Sequence, residues 1–320
     1  MSINQANGEW SQRQYYKFLH VPALKDLSLK DLLIKVAVAS LCHTDFMVRE
    51  GLIGTTPPCT GSHKGSGTVV ATRPSVKDFK IGDRAMAGVL YHVCGACGDC
   101  LGPDNYTQYC QRSGGSLGVT THGYFAEHAR VDATQTAKKP GRVSFETAIP
   151  LACTGYTVWQ SILRGWTQEG RVDRARRQWS WSGAFGHVFR DGGWLELTKK
   201  AGADIVVDAR MGDEKVVDEV KNVTNGWAIA TACAVTKMYG HVIQLAQPDE
   251  VVTPFRELAR QVLRVVDKHR ISIDTNPFNG LNEIGKLTDL VQSDRMKAKG
   301  IIIMDPKQVK KERESGLEMV

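Results

Sequence analysis

Residues 94–110 read CGACGDCLGPDNYTQYC, which sets Cys94, Cys97, Cys100 and Cys110 within seventeen residues. Zn²⁺ prefers four tetrahedral thiolates at about 2.3 Å, and C-x2-C corners let one short loop supply them. Gly95, Gly98 and Gly102 give that loop the backbone freedom needed to wrap an ion. Free loop cysteines or a redox pair are the alternatives. Four cysteines at this density favour structural zinc, a closed site that supports folding and not chemistry.

On either side of the loop, from about Asp26 to Ala137, short β-like runs alternate with Gly, Pro and Asp. Strands are expected at Leu33–Val38, Gly67–Ala71 and Gly123–Val131, with a turn into a strand over Val76–Met86 cornered by Gly82-Asp83. Many short strands with long loops predict a small barrel-like β domain. At Ser144 the texture changes. Ser144 caps an expected helix, and Leu151–Leu163 reads as a longer one carrying Cys153. Beyond it come α/β units: helices at 194–203 and Glu214–Val223, and strands at Asp204–Asp208 and His241–Leu245. A helix at Leu281–Gln292 and a strand at Gly300–Met304 precede a charged tail from Lys307, expected to fray.

Composition narrows the function classes. The chain has 320 residues, 42% hydrophobic and 23% charged, a globular balance with room for two domains. Its best apolar run, Leu32–Leu41, is short and carries Lys35, so a membrane span is not expected. The first residues lack a secretory profile, and a reducing, cytoplasmic setting is expected, where clustered cysteines bind metal before they pair. The net charge of +7 is spread along the chain and permits an anionic ligand such as a dinucleotide. Nucleic acid is not expected as a partner, because no recognition helix or basic-aromatic patch adjoins the cysteine loop.

A second constellation is dispersed: Cys42 in SLCHTD, His63 in GSHKGSG and Cys153 in PLACTG. Spacing alone leaves packing and metal ligation both open for these three. Taken in order, SLCHTD, the glycine-flanked histidine, FKIGDR, the four-cysteine loop and PLACTGYT resemble the zinc-containing medium-chain alcohol dehydrogenases, and most nearly their yeast and fungal branch. The resemblance covers Leu32–Leu163 and resumes over Ala201–Asp208 and Thr275–Asp305. It implies an α/β plus β fold: a GroES-like catalytic domain at 1–164, a shortened Rossmann-type domain at 165–267, and a return to the catalytic domain at 268–320.

The resemblance also implies roles. Cys42, His63 and Cys153 hold a catalytic zinc with an open fourth position, while Cys94, Cys97, Cys100 and Cys110 hold the structural one. Such a zinc is a Lewis acid that lowers an alcohol's pKa so that hydride can pass to NAD. Thr44 accepts the alcohol proton, and Asp45 orients His63 through its other ring nitrogen. His43 and Thr157 contact the cofactor. The implied activity is hydride transfer between an alcohol or aldehyde and NAD(H), in a possible homo-oligomer.

Three departures temper it. Lys64 follows the ligand histidine where the family has glutamate, and Ser62 replaces a glycine. A like charge about 4–6 Å from the metal costs a few kcal/mol unless Lys64 turns away or deprotonates, which predicts a more exchangeable catalytic zinc. Met47 stands where many relatives have a proton-relaying histidine. In the cofactor loop only Gly183 and Gly186 remain of the G-x-G-x-x-G run that seats a pyrophosphate on a helix N-terminus, and the segment before them is basic. An impaired or non-redox relative that keeps zinc is therefore the alternative function.

Overall fold

The computed structural model describes residues 27–102, 107–156, 255–293, 295–296 and 298–317, together with 159, 215 and 319. The expected elements between 194 and 245 lie outside these residues.

β1 (Asp31–Ser40), DLLIKVAVAS, is the spine of the sheet. Leu32, Ile34 and Val36 alternate into the main core with Phe46, Val69, Tyr124 and Phe125. Each buried aliphatic side chain contributes about 1.5–3 kcal/mol. From Val36 onward every residue is buried, because Ala37 and Val38 pack on Phe145, Ile149 and Ile301 behind the sheet. One edge of β1 pairs antiparallel with β2 (Gly65–Thr72). Next outward lies β3 (Arg84–Ala87), which pairs with β2. The short β4 (Leu90–Tyr91) follows in the chain and belongs to a separate two-stranded ribbon. The other edge of β1 is shared end to end by two distant segments. Residues 31–35 pair with residues 128–132, and Val38–Ser40 pair with Ile301–Ile303.

The remaining elements complete this frame. After β1 comes α1 (His43–Arg49), and α2 (Gly98–Leu101) sits in the cysteine loop. Then follow β5 (Gly115–Ser116), which pairs with β4, β6 (His128–Asp132) and β7 (Thr136–Lys138), which pairs with β3. Ser144 Oγ accepts from Thr147 N at 2.9 Å and starts α3 (Phe145–Pro150), as its position in the sequence predicts. The amphipathic α4 (Phe255–His269) lays Val262, Leu263 and Val266 against Met86, Leu151 and Ala152. β8 (Thr275–Asn279) runs parallel to β9 (Lys299–Ile303), with α5 (Ile284–Gln292) between them.

Three local expectations change. The strand expected at Gly123–Val131 begins only at His128, because the N–H groups of Gly123, Tyr124 and Phe125 bond to the carbonyls of Thr60, Ser62 and Gly61. The turn over Val76–Asp83 leads into a strand at Arg84, as expected. Past Pro150 the helix opens into a π segment, Leu151–Gly155, which carries Cys153. The tail does not fray. α6 (Pro306–Arg313) begins at Asp305, whose carboxylate accepts from Lys307 N at 3.0 Å, and it buries Val309 and Glu312.

Candidate active site

Cys42, His63 and Cys153 come from three separate places: the end of β1, the turn before β2 and the π segment. Their ligand atoms nevertheless all lie within 4.8 Å of one another. His63 Nε2 is 3.4 Å from Cys153 Sγ. Two thiols and one imidazole around one point match the donor type and number of a three-ligand zinc site with an open position, so the residues fit the metal. The hydrogen bond from Cys153 holds the Cys42 thiol well below the usual range, against the effect of burial, with help from Lys64 and Lys299. The same bond pushes Cys153 well above it.

Asp45 ties two of these segments together, though not by the contact expected. Its Oδ2 accepts from Cys42 N at 2.7 Å and its Oδ1 accepts from Ser62 N at 2.8 Å. Among the described residues His63 Nδ1 is buried without a hydrogen-bond partner, so Asp45 positions the backbone around the histidine and not its ring. Burial raises the Asp45 carboxyl above its ordinary value, against the pull of His63. Ser62 adopts φ 67°, the left-handed conformation that favours glycine. Its hydroxyl lies 3.0 Å from Ser40 O and 3.1 Å from Lys64 O, which anchors the turn to the end of β1. Gly65 fixes the next step: a Cβ there would meet Tyr124 Cδ1 at 2.1 Å.

Lys64 neither turns away nor loses its charge. It is fully buried, and its Nζ is 3.2 Å from His63 Nε2. Burial works against the ammonium, but the facing sulfurs of Cys153 and Cys42 and the carboxyl of Asp45 outweigh it and hold the lysine pKa above normal. Lys299, at the start of β9, faces the same group of charges and is lowered by burial and by Lys64. Sequence reading missed Lys299. Only its place ahead of the buried GIII strand hinted at an inward position.

The four-cysteine loop folds as its spacing predicts. Cys94 and Cys100 sulfurs are 3.9 Å apart, as are those of Cys97 and Cys110. Four sulfurs at about 2.3 Å from one tetrahedral ion stand about 3.8 Å from each other, so this donor set also fits zinc. The N–H of Ala96 lowers the Cys94 thiol to about 6, while burial pushes Cys100 up to about 12. Leu90 and Val93 pack beneath the lobe.

The family "Alcohol dehydrogenase GroES-like domain" matches residues 28–141. An alcohol dehydrogenase of Geobacillus stearothermophilus is 28% identical over 70% of this chain and 69% of its own length. One from Rhizobium meliloti is 30% identical over 64% of this chain and 63% of its own. Residues 28–141 thus match the alcohol dehydrogenase GroES-like domain, and the chain is similar to bacterial alcohol dehydrogenases. A solved NAD-dependent alcohol dehydrogenase superposes with a TM-score of 0.70 at 21% identity, covering 95% of this chain and 99% of that one, and shares its fold. The expected fold class, a GroES-like domain joined to a Rossmann-type one, agrees with this domain match and this shared fold.

Thr44 and His43 open α1 directly after Cys42, and both are half-buried. Thr157, Gly183 and Gly186 lie outside the described residues. Among the described residues no helix is long and apolar enough to cross a membrane.

Proposed function

We propose that this chain is a zinc-dependent alcohol dehydrogenase that passes hydride between a primary or secondary alcohol, or the corresponding aldehyde or ketone, and NAD(H). The convergence of Cys42, His63 and Cys153 carries the reading, with Thr44 two residues beyond the first ligand. These three residues would hold the catalytic ion, and Cys94, Cys97, Cys100 and Cys110 the structural one. Bound zinc supplies a Lewis acid that makes the alcohol proton easier to remove. Thr44 Oγ1 is the hydroxyl placed to accept that proton. Met47 cannot pass it onward, so its exit to solvent runs through water. Asp45 keeps the Cys42 and Ser62 backbones in register around His63.

His43, Thr157, Gly183 and Gly186 are the positions proposed to contact NAD, within a nucleotide-binding region at 165–267 that is short for a six-stranded doubly wound domain. SLCHTD and PLACTG support placement near the yeast and fungal branch. A cytoplasmic protein that forms homo-oligomers fits the same reading. An impaired relative that keeps zinc without redox chemistry is less favoured, since the relatives above are alcohol dehydrogenases.

The direct test follows nicotinamide absorbance with a panel of alcohols and aldehydes, alongside NADH binding. Turnover with at least one of them is expected. No binding at millimolar cofactor would overturn the assignment.

A further inference from the structure

The Lys64 ammonium is enclosed by the same atoms that would hold the catalytic metal. It is fully buried, its Nζ is 3.2 Å from His63 Nε2, and it bonds to Cys42 and faces Cys153 and Asp45. An imidazole nitrogen offers one in-plane lone pair, which can accept from an ammonium or bind a metal, but not both. The second observation is His63 Nδ1, buried with no partner among the described residues. Metal-ligating histidines almost always donate that N–H to a neighbour, which fixes the ring and strengthens its donor. Here the ring lacks that support while a cation engages its other side.

We propose that Lys64 is a built-in competitor of the catalytic metal, occupying the Cys42–His63–Cys153 pocket as a stand-in cation that has to swing out before zinc can bind. This rests on reading those three residues as the catalytic metal site. In the metal-free protein the ammonium neutralises the thiolate charge and keeps the pocket folded without an ion. With metal present it is a like charge displaced from its partners. The outcome is a chain with two unequal metal sites: the four-cysteine lobe holds zinc tightly, and the three-ligand site exchanges it.

The test is metal content of the full-length protein, measured by elemental analysis after dialysis against a mild chelator, with Co²⁺ titration followed by thiolate-to-cobalt absorbance. Wild type is expected to keep one zinc per chain and to take up a second metal only weakly. Lys64→Met removes the cation at similar size, and Lys64→Glu reverses it. Both are expected to keep close to two, with affinity at the second site raised by about 10–100-fold, the range seen when groups around a metal's ligands are altered. Retention of two zinc ions by wild type overturns the competitor role and leaves the metal site standing. Second-site affinity unchanged in both Lys64 variants also overturns it, provided Cys42→Ser abolishes the second cobalt signal. If Cys42→Ser leaves the cobalt titration of the Lys64 variants unaltered, the three residues are not a metal site, and that reading falls together with the proposal.

Discussion

Ser62 donates its backbone N–H to Asp45 Oδ1 at 2.8 Å, while the other oxygen of the same carboxylate receives the Cys42 N–H at 2.7 Å. One buried side chain thus clamps the turn that carries His63 to the start of the helix that follows Cys42. Hydrogen bonds to a charged group are each worth about 1.5–3 kcal/mol. Asp45→Asn turns one of the two acceptors into a donor aimed at an N–H. It is expected to lower stability by about 2–4 kcal/mol in urea unfolding, twice that of a surface Asp→Asn control or more. A loss below about 1 kcal/mol would show that the clamp is dispensable.

The four-cysteine lobe carries a separate prediction. Among the described residues its two buried cysteines pack on only a few apolar residues, chiefly Leu90 and Val93, so a bound ion would supply most of its order. Cys97→Ser, or removal of metal by a strong chelator, is expected to abolish hydrogen-exchange protection and admit proteases between Val93 and Leu117. The sheet around β1 should keep its slow amides. Simultaneous loss of protection in β1 would mean that the lobe and the sheet unfold as one unit.

What the sequence displayed follows the range of the forces involved. β1, β2, the Ser144 cap and the cysteine lobe rest on alternation, capping and spacing within a few residues, and those patterns are written locally. The expected fraying from Lys307 failed because charge alone describes that segment poorly. Glu312 is buried against Lys139 and Arg84, residues far away in sequence, and Asp305 supplies a cap. Lys64 shows the same limit from the other side. Its type and position were plain in GSHKGSG, but its inward orientation depends on sulfurs contributed by residues 42 and 153. The partner of Asp45 was also a matter of geometry, since a carboxylate next to a ligand can reach a ring or a backbone, and only the fold decides.

Ser62 separates two effects at one position. Its φ of 67° costs a non-glycine residue about 1–2 kcal/mol, while its hydroxyl bonds contribute about 0.5–1.5 kcal/mol. Ser62→Gly relieves the first and loses the second, so its stability is expected within about 1 kcal/mol of wild type. Ser62→Ala keeps the strain and loses the hydroxyl, and it is expected to be about 1 kcal/mol less stable than wild type. Chemical denaturation of the pair reads the difference directly. Alanine as stable as glycine would mean that the turn relaxes out of the left-handed region.

Lys139 and Glu312 join the end of β7 to α6, with Lys139 Nζ 2.7 Å from Glu312 Oε1. Arg84 pairs with the same oxygen, and Phe145 N donates to Glu312 Oε2 at 2.8 Å. With Arg84 already supplying a positive charge, burial and Arg84 itself bring the Lys139 pKa down to about 5. At neutral pH the lysine is then a neutral donor to Glu312 and to Val143 O, and the ion pair is between Arg84 and Glu312. The sign of the pH effect follows. Between about 5 and the ordinary lysine value near 10.4, the unfolded chain binds a proton that the folded one does not, so this group makes stability rise with pH. Below about 5 both states are protonated, and the penalty for a buried ammonium is fully present. Lys139→Met removes that penalty while Val143 O still accepts from Arg84 at 2.9 Å. The variant should gain on wild type most near pH 5, with the advantage shrinking toward pH 9 in parallel urea melts. Glu312→Gln instead leaves the half-buried Arg84 guanidinium without its counter-charge and should cost about 1.5–3 kcal/mol. If Lys139→Met proves as damaging as Glu312→Gln at neutral pH, the lysine is charged in the folded protein and is the true partner of Glu312.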